Sequence, residues 1–146
     1  MTIVVAVDRT DHGTPIVKEG HTLAEAFEDE LRVVHVLSQS ELRDIEEHNV
    51  EDTGHPAGQD EVKEIAAEIA SDIASEVTDE FEAVGLIGEA AKRIVRYAET
   101  TDARYLVLGG RKRTPIGKAV FGSVTQSVLL NADCPVVTVL RREGSE

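Results

Sequence analysis

Thr2-Ile3-Val4-Val5-Ala6-Val7-Asp8 and Leu31-Arg32-Val33-Val34-His35-Val36-Leu37 are two short apolar runs rich in β-branched residues. Such runs suit strands buried on both faces of a sheet. Between them Ile16 and Val17, then Leu23, Ala24 and Phe27, recur at helical spacing. Thr14 is placed as an N-cap and Pro15 at the first helical position, so the spacing predicts a helix over 14–28. Two buried strands joined by one helix make a parallel unit, because the helix carries the chain back to the same end of the sheet.

The same alternation continues outward. Val62, Ile65, Ala66, Ile69, Ile73 and Val77 predict an amphipathic helix over 60–78 whose other face carries carboxylates. Phe81 to Ile87 reads as a third strand, and Gly88 opens a helix bearing Ala90, Ala91, Ile94, Val95 and Ala98. Arg104 to Leu108 is a fourth strand, Gly122-Ser123 starts a further helix, and Pro135 to Leu140 is a fifth strand. Residues 38 to 60 are polar, with seven acids from Glu41 to Asp60, and read as a long mobile loop with one helical turn around 40–48. The expected fold is α/β: one domain over 1–146, an open five-stranded parallel sheet with helices on both faces and right-handed crossovers, closed by a charged tail at 141–146.

Composition bounds the function. The chain has 146 residues, 28 acids against 15 Lys plus Arg, and a formal net charge of −13. Apolar residues make up 41%, enough for a core, so the charge does not signal disorder. So negative a surface argues against DNA or RNA as partner, since phosphate backbones need a basic face. The apolar runs are short and the N-terminal one reads as a strand, so neither a membrane span nor a secretory signal is expected. One cysteine, Cys134, excludes an internal disulfide and a cysteine-cage metal site, and the cytosol is the expected compartment. Ten of the cations are Arg and five are Lys, and the apolar side chains are mostly small. This favours a very salty cytosol, where the Debye length falls to roughly 3 Å at 1 M. The expected result is a thermal midpoint that rises between dilute buffer and molar KCl.

The charge is uneven. Residues 103 to 132 hold Arg104, Arg111, Lys112, Arg113 and Lys118 and no acid, so this window carries +5 and the rest −18. Ligands of open parallel sheets bind outside the carboxyl ends of the strands, near the switch in strand order. Asp8, Val36 and Gly109-Gly110 stand at such ends. Glycines at a strand end, four cations, and Gly122-Ser123 at a helix start together describe a phosphate cradle of backbone amides and basic side chains. The bland alternative is a surface loop whose glycines make turns and whose Ser123 caps a helix.

Several other patterns fail on spacing. Gly117-Lys118-Ala119 looks like the end of a P-loop, but Lys112 stands where its first glycine belongs and Ala119 replaces the magnesium-binding hydroxyl. Asp8 lacks the partner acids and strand-end lysine of a phosphoryl-accepting aspartate, and Thr10 breaks an Asp-x-Asp pair. Phe121 and Thr125 flank Ser123 where a nucleophile elbow needs glycines. His12, His21, His35, His48 and His55 show no ligand pairing, so no metal site is expected. Cys134 is read as a small buried side chain.

With these residues in view, the chain resembles the universal stress protein family. The match runs from Val4-Val5-Ala6-Val7-Asp8, through His35-Val36 and the Gly-rich segment, to Ala132-Asp133-Cys134-Pro135 and the strand after it. The acidic, Lys-poor composition is that of a haloarchaeal type. The resemblance implies a Rossmann-like sheet of the adenine nucleotide alpha-hydrolase kind and a homodimer through strand 136–140. That pairing would cover an apolar edge. The ATP-binding branch carries Gly-x2-Gly-x9-Gly-Ser/Thr. Aligned on Gly122-Ser123, its first glycine is Gly109, and its second falls on Lys112. A lysine there either lacks the backbone freedom the motif needs or meets phosphate as a point charge. By the same carry-over Asp8 takes the ribose or adenine edge, with Ala6 in the place of a frequent proline, and Val36 takes adenine. Leu108, Gly109 and Lys112 approach the phosphates, with Gly122, Ser123 and Val124 donating N–H or hydroxyl groups. Arg111 and Arg113 join them on the strength of the basic window alone.

The leading expectation is a homodimeric stress-response regulator binding ATP, ADP or AMP, with magnesium on the phosphates and an unidentified regulatory protein as partner. The alternative is a member that binds no nucleotide and acts as a dimeric interaction module, which Lys112 favours. A slow ATP hydrolase is a third reading, with no base for water activation in evidence.

Overall fold

The computed structural model describes residues 1–8, 13–44, 47, 58–110 and 121–140. The elements are β1 (Thr2–Ala6), α1 (Gly13–Phe27), β2 (Glu30–Leu37), α2 (Gln59–Ala74), β3 (Glu82–Ile87), α3 (Ala90–Thr100), β4 (Ala103–Gly109), α4 (Ser123–Asn131) and β5 (Val136–Val139). All strand pairs are parallel, in the order β3-β2-β1-β4-β5. The expected α/β architecture is the observed one.

Alternation of side chains builds two cores from each strand. On one face Ile3, Val5, Val7, Val33 and Val107 pack with Val17 and Ala24 of α1 and Ala70 and Ala74 of α2. On the other, Val4, Ala6, Val34, Val36, Leu106 and Leu108 pack with Ala91, Ile94 and Ala98 of α3 and Val128 of α4. Ile3, Val4, Val5, Val33, Leu106 and Val107 are wholly buried, each worth about 1.5–3 kcal/mol of hydrophobic stabilisation. The small Ala faces of α2 and α3 let those helices lie close to the sheet. At Gly85 of β3 the approach is closest: a Cβ there would collide with the Lys63 carbonyl oxygen and stand 2.7 Å from the Ala67 nitrogen.

Local expectations shift at several ends. Thr14 lies inside α1 rather than capping it, and its hydroxyl donates to Glu76 Oε2 at 3.0 Å, tying α1 to the turn after α2. The helix expected to 78 stops at Ala74, and the Val77 amide bonds back to the Ala74 carbonyl in a turn. Gly88 turns the chain with φ +133° ahead of α3, which starts at Ala90. The segment expected as a loop over 38–60 begins with helical residues 39–44. The remainder of that segment except 47 and 58–60, together with the tail at 141–146, lies outside the described residues.

The amino ends of the strands are pinned by Asp29, whose side chain is 4% exposed. Arg104 Nε donates to its Oδ2 at 2.6 Å, and the Met1 ammonium lies 3.4 Å from Oδ1. The Arg104 guanidinium also lies 4.4 Å from the centre of the Phe27 ring. The Arg104 hydrogen bond leads in holding the Asp29 carboxyl below its usual range, against the opposing effect of burial. A lowered folded-state pKa stabilises the fold above the unfolded value of about 4 and is lost as pH falls through the folded value. Asp29→Asn is therefore expected to lower the thermal midpoint near neutral pH. The gap from the parent should close as the pH is taken below about 4, followed by circular dichroism.

Candidate functional site

The chain leaves β1 for β2 and β3, then returns to place β4 on the other side of β1. The strand order therefore switches between β1 and β4, and a crevice is expected at their carboxyl ends. Val5 is level with Val107, so Val7 and Asp8 emerge beside Gly109 and Gly110. Ala6 is level with Val34, which puts Val36 two positions further along β2, beside Asp8.

α4 supplies the third wall. Gly122 is its N-cap in extended backbone (φ −70°, ψ 168°), and no side chain caps the first turn. Those first-turn N–H groups and the positive end of the helix dipole favour an anion. Thr125, 8% exposed, donates its hydroxyl to the Gly109 carbonyl at 3.0 Å and so fastens the helix start to the β4 exit. The Gly110 amide donates to the Val139 carbonyl at 3.0 Å, and a Cβ on Gly110 would crowd Leu140 and the Phe121 ring. A Cβ on Gly109 would stand 2.6 Å from Ile16 Cδ1. Neither glycine has a positive φ, so both serve close packing at the crevice floor.

Six of the anticipated residues therefore converge at the switch: Asp8, Leu108, Gly109, Gly122, Ser123 and Val124. Asp8 and Ser123 are exposed and Val124 is 40% exposed. Ala6, Val36 and Leu108 have their side chains in the core shared with α3 and α4. Lys112, Arg111 and Arg113 lie outside the described residues. Among the described residues no group of three or more His, Cys, Asp and Glu side chains comes together as a metal site.

Sequence reasoning gave His35 no role beyond its place at the end of the second strand. It is 2% exposed, and its Nδ1 lies 2.8 Å from the Val7 carbonyl oxygen, against the β1 exit. Its Nε2 lies 3.6 Å from Glu41 Oε2. Ser38 caps the helical residues: the Glu41 amide donates to Ser38 Oγ at 3.3 Å, and Ser38 Oγ donates to Glu41 Oε1 at 3.4 Å. The signal Ser38-x-x-Glu41 was present in the chain, and it explains why helical structure begins at residue 39.

Cys134 lies at the opposite end of the sheet. It lines a cavity of about 260 Å³ with Val95, Ala98, Ala103 and Ala132. Burial, before anything else, pushes its thiol above the usual value. A raised thiol pKa lowers the thiolate fraction. Cys134, half-buried, is expected to react with a maleimide more slowly than a small free thiol near neutral pH, measured by mass spectrometry.

The Universal stress protein family profile matches residues 1–139. The chain belongs to the universal stress protein family. A universal stress protein of Methanocaldococcus jannaschii is 26% identical over 141 residues, covering 94% of this chain and 80% of its own length. A solved universal stress protein from Archaeoglobus fulgidus is 31% identical with a TM-score of 0.68, covering 94% of this chain and 97% of that one. A second structure of an Archaeoglobus fulgidus universal stress protein, a complex with dAMP, is 26% identical with a TM-score of 0.63, over 94% of this chain and 96% of that one. Among the described residues of this universal stress protein, no helix is long and apolar enough to cross a membrane.

Proposed function

We propose that this universal stress protein binds an adenine nucleotide at the β1–β4 switch point and acts as a stress-response regulator. The observation that carries the reading is the α4 N-terminus, without a side-chain cap and fastened by Thr125 to the β4 exit, directly beside the β1 exit. Its orphan amides suit phosphate, and Asp8 at the β1 exit suits a ribose hydroxyl or an adenine amine. The related Archaeoglobus fulgidus structure with dAMP supports an adenine nucleotide as the class of ligand. ATP is the ligand of choice, with ADP and AMP behind it, because a longer phosphate chain would meet more of the four cations that follow β4 in the sequence, Arg111, Lys112, Arg113 and Lys118. Magnesium would arrive on the phosphates, with Asp8 as a protein carboxylate at this end of the sheet. The protein would work as a homodimer. β5 ends the sheet with half-buried Val136 to Val139, and pairing with a second copy would satisfy that edge. Isothermal titration with ATP, ADP and AMP in molar KCl tests the binding. No heat at millimolar nucleotide would sink it. Sedimentation velocity tests the dimer.

Lys112 at the second glycine position of the motif favours the other reading, a dimeric interaction module without nucleotide. Lys112→Gly separates the two. A chain that binds ATP only after this change belongs to the second class.

A further inference from the structure

We infer that His35 ends the β1–β2 ladder one rung early and so keeps the Val36 amide turned toward the β1 exit as a hydrogen-bond donor for a ligand. In a parallel sheet every second residue of a strand bonds to the same neighbour. The Val7 amide donates to the Val34 carbonyl at 2.9 Å, so the backbone N–H and C=O of Val34 face β1. The Gly88 amide donates to the Leu37 carbonyl at 3.0 Å, so those of Leu37 and His35 face β3. Val36, two positions after Val34, therefore presents its N–H to β1. The next acceptor of the ladder on that side is the Val7 carbonyl.

A side chain occupies that acceptor. Nδ1 of the buried His35 lies 2.8 Å from the Val7 carbonyl oxygen. A carbonyl only accepts, so Nδ1 carries the hydrogen and donates. Among the described residues no backbone bond joins the Val36 amide to the Val7 carbonyl. The ladder thus closes at the Val7 amide and stops at the Val7 carbonyl, while β2 runs on to Leu37 against β3.

The early ending has a use. A backbone N–H shielded from water costs about 1–3 kcal/mol when unpaired. Val36 is buried, so its amide favours an acceptor that arrives at the end of β1. On the nucleotide reading, on which this part rests, that acceptor is a ring nitrogen of adenine, a base that sets such nitrogens beside an amine. His35 is a positioning residue: it holds the Val7 carbonyl, and Asp8 leaves the strand from there. Without the imidazole the Val7 carbonyl would lose its donor, and the Val36 amide is the ladder's own replacement. Closing that bond would add a rung and withdraw the amide from the ligand.

Hydrogen-bond scalar couplings, measured by NMR on the full chain labelled with carbon-13 and nitrogen-15, test the ladder ending without ligand. The parent should show a coupling from His35 Nδ1 to the Val7 carbonyl carbon and none to that carbon from the Val36 amide. In His35→Leu the Val36 amide should couple to the Val7 carbonyl and exchange with solvent about tenfold more slowly. His35→Asn places an NH2 near the position of Nδ1 and nothing near Nε2, so it separates the Val7 bond from the approach of Glu41. It should restore the parent's behaviour at Val36. Titration with ATP in molar KCl is the second arm. Affinity should fall about tenfold in His35→Leu and return to within about threefold of the parent in His35→Asn. A Val36–Val7 coupling in the parent overturns the ladder ending, whether or not His35→Leu folds, and so does an unchanged Val36 amide in a folded His35→Leu chain. Parent affinity in that folded chain overturns the role of His35 in binding and leaves the nucleotide reading standing. Absence of ATP binding in the parent removes the nucleotide reading, and the couplings then decide the ladder ending.

Discussion

Gly85→Ala is expected to cost about 3 kcal/mol or more of stability, because the new methyl group has nowhere to go. The obstacle is mainly backbone: the Lys63 carbonyl and the Ala67 nitrogen of α2, with the Ala66 Cβ beside them. A side chain could rotate aside, but here the whole helix must lift off β3. Lifting it opens the small core of Leu37, Val62 and Ala66, which are buried between α2 and the sheet. Gly109 makes the control. There the obstacle is Ile16 Cδ1, the far end of a flexible side chain, so Gly109→Ala should cost about 1 kcal/mol or less. Urea denaturation of the two variants checks the contrast, and hydrogen exchange should place the Gly85→Ala damage in α2 and β3. A Gly85→Ala midpoint close to the parent's would mean that α2 does not lie on β3 as described.

The strands were legible because a parallel sheet is buried on both faces. Val4 and Val5, or Val33 and Val34, are apolar on consecutive positions, and no half-exposed strand would read that way. Helix ends were less legible where a distant partner intervened. Thr14 has the chemistry of a cap, yet its hydroxyl goes to Glu76, 62 positions away, and local sequence carries no sign of that. The strand order was not legible either, since the five apolar runs are interchangeable in composition. The crevice was nevertheless largely readable, because Asp8, Gly109 and Gly122-Ser123 are chain-end features of their elements, and all such ends point the same way in a parallel sheet. His35 shows the limit. Its neighbour Val36 was singled out and its own burial fits the strand, but its meaning depends on β1 lying beside β2 at Val7. The Ser38-x-x-Glu41 spacing was readable alone; the approach of Glu41 to a buried imidazole was not.

Ser123→Asp should move stability and ligand binding in opposite directions. A carboxylate in the first turn of α4 complements the helix dipole and the orphan amides, which stabilises a helix by about 0.3–1 kcal/mol. The thermal midpoint should therefore hold or rise slightly. The same carboxylate would occupy the place proposed for phosphate and repel it. Two unit charges about 4 Å apart near a protein surface interact by about 4 kcal/mol before screening. Molar salt removes much of this, so the expected loss is at least about tenfold in ATP affinity, equivalent to about 1.4 kcal/mol. AMP, with fewer phosphate charges, should lose less than ATP. If Ser123 served only as the first residue of a surface helix, the substitution would leave any nucleotide binding untouched. Calorimetric titration of parent and variant, alongside their melting curves, separates the two roles. Equal affinities with a raised midpoint would move the phosphates away from α4, whereas a lost affinity with an intact midpoint would put them on its N-terminus.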